Sequence, residues 1–92
     1  MPKFLDSHPM KGAKKDELKK LHNSPKDEFG VTHLDIIFCE NEDRMFCFLD
    51  APDKNAITKH HEKFGYKCDY IIEVDSTAYR LYHPSQTWAP LR

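Results

Sequence analysis

The sequence contains little that would place the protein in a membrane or outside the cell. No apolar run approaches the roughly 20 residues that a membrane-spanning helix needs. The pair Phe4-Leu5 is too short to be the apolar region of a secretory signal. There are three cysteines, an odd number, and no C-x-x-C pair. This pattern favours a reducing compartment over a disulfide framework, and we expect a cytoplasmic protein.

An excess of charge of either sign is also missing. The 14 basic and 15 acidic residues leave a formal net charge of −1, so no strong field recruits nucleic acid or an anionic membrane. Hydrophobic residues make up 39% of the chain and charged residues 32%, which is typical of a soluble globular domain. Histidine is the residue in excess. Six histidines among 92 residues give the first indication of a metal site.

Alternation and helical spacing predict six regular elements. The strands are Lys3–His8, Thr32–Glu40, Arg44–Leu49 and Lys67–Val74, and the helices are Lys14–Asn23 and the segment from the N-cap Asp53 to the C′ glycine Gly65. The order β-α-β-β-α-β is that of the ferredoxin-like fold, an antiparallel sheet with two helices on one face. We therefore predict an α+β domain over residues 1–74 and a C-terminal extension over residues 75–92.

Aromatic residues in this extension predict that it docks on a surface. Tyr79, Tyr82 and Trp88 lie there, and Tyr79–His83 has the composition of one more strand. The extension would cover its own domain or a second subunit. The sheet face without helices also carries apolar residues, so we expect a homodimer formed through this face, through the extension or through both.

Histidines share the apolar side of each predicted helix. Ile57, His60, His61 and Phe64 fall at i, i+3, i+4 and i+7, the spacing of a core-facing stripe. In the first helix, Leu18, Leu21 and His22 fall at i, i+3 and i+4, so a histidine shares the apolar side there as well. A histidine at such a position is either a hydrogen-bonded core residue or part of a site.

The strands that lead into the two helices carry further candidate ligands. Asp6 and His8 lie on one face of the first strand, and Cys47 lies on the third. These strands are normally the adjacent central pair of the fold, and His22 and His60 both lie roughly 12 Å from the starts of their helices. We therefore expect these groups to converge between helices and sheet, provided that no bulge inverts the strand phase. Imidazole, carboxylate and thiolate suit nickel, copper, zinc or iron, and side-chain type alone does not name the ion.

Short stretches in a fixed order match a known family over about residues 1–74. They are Met1–Phe4 with Asp6 and His8, Leu21–His22, Gly30–Val31, Phe46–Cys47 with Ala51–Pro52, His60 with Glu62 and Gly65, and Asp69 with Ile72–Val74. The sequence resembles the small nickel-binding proteins of ferredoxin-like fold, a family otherwise labelled a domain of unknown function.

The resemblance implies a dimeric domain that holds a divalent metal, nickel above all. The family's recurring polar positions fall on Asp6, His8, His22, Cys47 and His60. The chain departs from the family where Phe64-Gly65 replaces a frequent His-Gly, and where Asn23–Pro25 interrupts the first helix. His61 is the candidate to replace the imidazole missing at Phe64.

Three functions remain open at this point. The first is a cytosolic metal-binding protein that uses His22 and His60, helped by His8, Asp6 or Cys47, with His61 in reserve. On this hypothesis His61, His33 and His83 are surface histidines. The sequence does not give the ligand count, the identity of the metal or its physiological role.

The second function is enzymatic, and the third is structural. An Asp–His pair, Asp6 with His8 or His22, can act as the general base of an isomerase or a lactone-processing enzyme, although fold analogy alone suggests that chemistry. A structural or interaction module would instead have its histidines hydrogen-bonded in the core. We favour binding over catalysis, and the sequence names no substrate.

Overall fold

A computed structural model describes residues 1–78 of the chain. Four antiparallel strands and two helices follow one another in the order β-α-β-β-α-β, which confirms the predicted ferredoxin-like α+β fold. The elements are β1 (Lys3–His8), α1 (Lys15–His22), β2 (Thr32–Cys39), β3 (Arg44–Asp50), α2 (Lys54–Lys63) and β4 (Tyr70–Val74). Only the element ends differ from the predicted ones, by up to three residues, as is usual where helices and strands fray.

The sheet has the strand order β2-β3-β1-β4, so β1 and β3 are the central pair. Their antiparallel register sets Asp6 opposite Cys47 and His8 opposite Met45. On its other side β1 pairs with β4, where Asp6 lies opposite Ile71. The prediction that the first and third strands are adjacent and central is confirmed.

The core lies between this central pair and the helices. Met45, Cys47 and Leu49 alternate along β3 and are at most 1% exposed, because successive side chains of a strand point to opposite faces. The same alternation on β1 turns Phe4, Asp6 and His8 toward the helices. Two polar side chains, Asp6 and His8, therefore lie in an otherwise apolar layer.

A β-bulge changes the phase of β2. The pairing of β2 with β3 shifts register between His33 and Asp35, and an extra residue in one strand reverses the facing of the residues beyond it. As a result His33 lies on the same side as Ile36 and Phe38, which pack against the core. His33 is 6% exposed, so the prediction of a surface histidine at this position is wrong.

Helix α2 has the predicted ends. The Asp53 side chain accepts a hydrogen bond from Ala56 N at 2.8 Å, the geometry of an N-cap. After the helix, Gly65 adopts a φ of +81°, a conformation that glycine reaches without steric cost.

The stripe on α2 is buried for three of its four members. Ile57, His60 and His61 are at most 4% exposed, whereas Phe64 is 51% exposed. The prediction that His61 is a surface histidine is therefore wrong. Both imidazoles of this helix face the sheet.

Helix α1 does not bring His22 to the central strands. The helix packs on the edge strand β2, where His22 lines a shallow groove with Ile36 and Phe38. Leu18 is buried, but His22, the last residue of α1, is exposed. The expected convergence of His22 with Asp6, His8 and Cys47 is wrong, because the helix lies over the edge of the sheet and not over its centre.

The opposite sheet face retains exposed apolar side chains. Ile37, Tyr70 and Ile72 are 42–56% exposed, whereas Ile71 packs against the core. The predicted strand Tyr79–His83 and most of the C-terminal extension lie outside the described residues. Within residues 1–78, no helix has the length and apolar character needed to cross a membrane.

Replacing Asp53 with Ala should lower the free energy of unfolding by about 1 kcal/mol, because the first turn of α2 then loses its capping acceptor. Asp53→Asn should retain most of the stability, since asparagine is an equally good N-cap. Urea denaturation measures both. Lys59→Ala, on the exposed side of α2, is the matched control, and an equal loss there would contradict a specific capping role.

Candidate metal centre

Four buried side chains converge between the central strands and α2. They are Asp6, His8, Cys47 and His61, and each offers a donor atom within 4.8 Å of the other three. Cys47 Sγ lies 3.9 Å from His8 Nε2, and Asp6 Oδ1 lies 3.9 Å from the same nitrogen. His61 Nε2 lies 3.4 Å from Asp6 Oδ2. We refer to these residues as the four-donor cluster.

The fold itself assembles this cluster. Asp6 and His8 share a face of β1 because they are two residues apart, and the strand register puts Cys47 opposite Asp6. His61, on the third turn of α2, reaches the cluster from the side of the sheet that the helices cover. Three of the donors therefore come from the central strand pair and one from α2.

Backbone carbonyls fix the orientation of both imidazoles. His8 Nδ1 lies 2.8 Å from Pro9 O, and His61 Nδ1 lies 2.9 Å from Ile57 O. A carbonyl oxygen only accepts, so each Nδ1 carries a hydrogen and donates it. Each Nε2 then faces the cluster. Imidazoles that bind metals are commonly held in this way through their second nitrogen.

The Asp6 carboxylate is the unusual member of the cluster. Its side chain is 0% exposed, and neither oxygen has a hydrogen-bond partner among residues 1–78. His61 Nε2 is within ion-pair distance of Oδ2 but not in hydrogen-bonding geometry. A buried carboxylate is costly unless a positive charge or several donors compensate it, so this position requires a cation.

Without a metal, protons supply that compensation. Burial acts to lower the pKa of His61, yet the Asp6 carboxylate and the contacts with Cys47 and Cys68 together raise it to about 12. Burial raises the pKa of the Cys47 thiol to about 11, and its S–H faces His8 Nε2. Burial lowers the pKa of His8. At neutral pH the cluster therefore holds an imidazolium, a carboxylate, a thiol and a neutral imidazole.

His60 lies beside the cluster but points elsewhere. Its Nδ1 is 2.5 Å from Asp27 Oδ2, and Asp27 Oδ1 accepts from the backbone nitrogens of Phe29 and Val31. The ring of His33 packs 4.9 Å from that of His60, centre to centre. Burial lowers the pKa of His33 to about 3, so this imidazole is neutral at physiological pH.

Of the six predicted ligands, four are brought together and two are not. Asp6, His8, Cys47 and His61 form the cluster. His60 is a neighbour of the cluster and His22 is remote from it.

Sequence reasoning did not identify Asp27 or His33 as parts of this region. Asp27 lies between the predicted first helix and second strand and gave no signal of its own, and the bulge that buries His33 has no signature in the residue types.

A cavity of about 410 Å³ opens onto the cluster. Its wall includes three cluster members as well as His33 and His60. Lys11, Glu17 and Tyr66 also line it. An ion or a small molecule can therefore approach the buried donors from this side.

Comparison with models of known protein families gives a match over most of the chain. A model of the nickel responsive protein SCO4226-like family matches residues 2–74. The chain belongs to this family. The matched region contains all six described elements and every member of the four-donor cluster. Neither a curated protein nor a solved structure matches the chain.

The cluster of this SCO4226-like protein fits a divalent transition metal. Two imidazole nitrogens, a carboxylate oxygen and a sulfur form a mixed donor set of borderline softness, suited to nickel, copper, zinc or iron. The Asp6 oxygens, which have no hydrogen-bond partner in residues 1–78, mark a position for positive charge. The family name indicates a response to nickel and does not name the ligands.

In metal-free protein, stability should fall as the pH rises from 7 to 9. Because the pKa of His61 is higher in the folded state than in the unfolded state, its protonation stabilises the folded state. This contribution to the free energy of unfolding is fully present below about pH 6.5 and decreases until the pH reaches about 12. Urea denaturation in the presence of a chelator measures the slope, which one such proton sets at up to about 1.4 kcal/mol per pH unit. His61→Gln should flatten the slope. An unchanged slope in that variant would contradict an imidazolium at position 61.

Proposed function

We propose that the protein binds one divalent transition-metal ion, nickel in the first place, through Asp6, His8, Cys47 and His61. The observation that supports this most directly is the buried Asp6 carboxylate, which lacks a hydrogen-bond donor in the described part of the chain and faces two fixed Nε2 atoms and a thiol. These are the groups that a metal ion needs and that an apolar core does not.

The separations of the donor atoms support a shared ion. Donors bonded to one ion at about 2.0–2.3 Å stand about 3–4.5 Å apart. The separations of 3.4 and 3.9 Å fall within this interval, and all four donor atoms lie within 4.8 Å of one another. Small side-chain rotations, rather than a change of fold, are enough to complete the coordination.

Charge balance also favours a divalent ion. The metal-free cluster has one carboxylate and one imidazolium, hence zero net charge. A divalent ion that displaces the imidazolium proton and the thiol proton leaves a carboxylate, a thiolate and a charge of +2, again zero. Because buried net charge is costly, the cluster can exchange two protons for one divalent ion, since its net charge stays at zero.

Nickel is proposed over the other ions because the chain belongs to a nickel-responsive family. The donor set alone does not select it, since copper binds more tightly than nickel to most such sites. We propose that the ion is bound for sensing, storage or delivery.

The enzymatic hypothesis has less support. Asp6 Oδ1 and His8 Nε2 are 3.9 Å apart, which is too far for a hydrogen bond, and His22 is exposed. Neither predicted general-base pair is therefore formed. Cys47 and the Asp6 carboxylate turned away from the histidines would have supported the structural-module hypothesis, but both face them.

We further propose that residues 1–74 act as one metal-binding domain in a cytoplasmic homodimer. The exposed Ile37, Tyr70 and Ile72 on the helix-free face of the sheet support such a dimer. The three cysteines are all free, as expected in a reducing compartment. Residues 75–92 are proposed to dock on the domain or on the partner.

Substitution of any ligand should abolish tight nickel binding. Cys47→Ser, Asp6→Asn and His61→Gln should each raise the Kd for Ni²⁺ by about 100-fold or more, because loss of a group that merely supports a ligand already costs about 10–100-fold. Isothermal titration calorimetry measures the Kd, and circular dichroism verifies the fold. His22→Ala is the control and should bind as the wild type does. Wild-type affinity in Cys47→Ser would falsify the assignment.

Nickel binding should release protons and strengthen with pH. Since His61 and Cys47 have pKa values of about 12 and 11, both are protonated at pH 6.5–8, and the ion displaces both protons. The apparent Kd should fall by up to about 100-fold per pH unit in this interval. Calorimetry in buffers of different ionisation enthalpy counts the protons. A pH-independent Kd with no proton release would contradict the proposed ligands.

A further inference from the structure

A second pair of imidazoles lies on the wall of the same cavity. His33 comes from β2 and His60 from α2, and the two are 6% and 4% exposed. Their ring centres are 4.9 Å apart. Neither residue belongs to the four-donor cluster, and neither has a part in the function proposed above.

His60 is held as metal-binding imidazoles commonly are. Its Nδ1 donates to Asp27 Oδ2, since a carboxylate only accepts. Asp27 is fixed in turn by the backbone nitrogens of Phe29 and Val31, at 2.9 and 3.0 Å. A carboxylate behind an imidazole fixes its tautomer and makes the other nitrogen a better ligand. The lone pair of His60 Nε2 is therefore available.

His33 has a buried nitrogen that lacks a partner. Its Nε2 is shielded from solvent and has no hydrogen bond to any group in residues 1–78. Buried polar atoms are normally paired, so each exception needs an explanation. A bound ion explains it.

The spacing of the two rings fits a shared ion. An ion about 2.0–2.1 Å from one nitrogen of each ring lies roughly 3.2 Å from each ring centre, and bonds about 90–110° apart then place the ring centres about 4.5–5.2 Å apart. The observed separation is 4.9 Å. His8 and His61, within the four-donor cluster, have the same separation of 4.9 Å.

We propose that His33 and His60 form a second metal-ion site on the cavity wall, whose remaining coordination positions are filled by water or by a small ligand in the cavity. Two neutral imidazoles suit Ni²⁺, Zn²⁺ or Cu²⁺. The Asp27 carboxylate offsets part of the charge of the ion. With two protein ligands and no sulfur, this site binds more weakly than the four-donor cluster and exchanges its ion faster.

Titration with Ni²⁺ alone separates the two sites. Wild-type protein should bind two ions per chain, and only the tight one should produce the near-ultraviolet absorption of a thiolate bound to nickel, because Cys47 belongs to the first site only. Cys47→Ser should lose this absorption and keep the weak ion. His33→Phe, which keeps a ring in the buried space, should keep the absorption and lose the weak ion.

Another histidine provides the control. The variant His22→Ala removes an exposed histidine that lies in neither site, and it should still bind both ions. In wild-type protein labelled with ¹⁵N at histidine, Zn²⁺ added beyond one equivalent should shift the Nε2 resonances of His33 and His60. This measurement needs no substitution and so does not depend on variants that fold.

Three outcomes would overturn the second site. They are wild-type protein that binds only the ion with the thiolate absorption, a His33→Phe variant that keeps the weak ion, and His33 and His60 resonances that do not move with Zn²⁺. Failure of the four-donor cluster is recognised separately, as the absence of thiolate absorption in wild-type protein. A weak ion bound without that absorption would leave the His33–His60 site standing.

Discussion

The cation requirement of the buried Asp6 carboxylate is the constraint on which this region of the structure depends. A carboxylate at the middle of the central strand, with no donor from the described chain, is tolerated only when positive charge stands close to it. The neighbours meet that requirement in two ways. His61 supplies a proton when no metal is present, and the proposed metal site would use the same nitrogens and sulfur as ligands. Under the proposed function, the polar centre of the core binds either protons or an ion.

The rest of the fold holds these groups in place. The antiparallel register sets Asp6 opposite Cys47, and apolar neighbours such as Met45, Leu49 and Ile57 seal the layer at or near 0% exposure. These buried apolar side chains exclude water from the sheet side, and the cavity leaves a route to the cluster from the helix side. The same packing that stabilises the fold gives the cluster its low-dielectric surroundings.

Much of this arrangement could be predicted from residue patterns. Alternation on the first strand correctly puts Phe4, Asp6 and His8 on one face, and the βαββαβ order correctly makes Cys47 a near neighbour of Asp6.

The choice between His60 and His61 could not be predicted, because helical spacing puts both on the buried side. Which of them faces the central strands depends on how the helix is rotated about its axis, and long-range packing sets that rotation. His33 was misjudged for a related reason, since a one-residue bulge reverses a strand's facing without changing its composition. His22 shows that equal depth along two helices does not make their side chains neighbours.

The position of His61 within α2 would affect the release of the proposed metal ion. The imidazole is fixed by the Ile57 carbonyl one turn earlier, so it keeps its orientation only while that turn of the helix is intact. Local unfolding of α2 would detach His61 from the cluster and His60 from Asp27 in one event. The rate of metal release would then be limited by the rate at which this ten-residue helix opens. Asp53 and Gly65, which stabilise the ends of the helix, would therefore affect the residence time of the ion without contacting it.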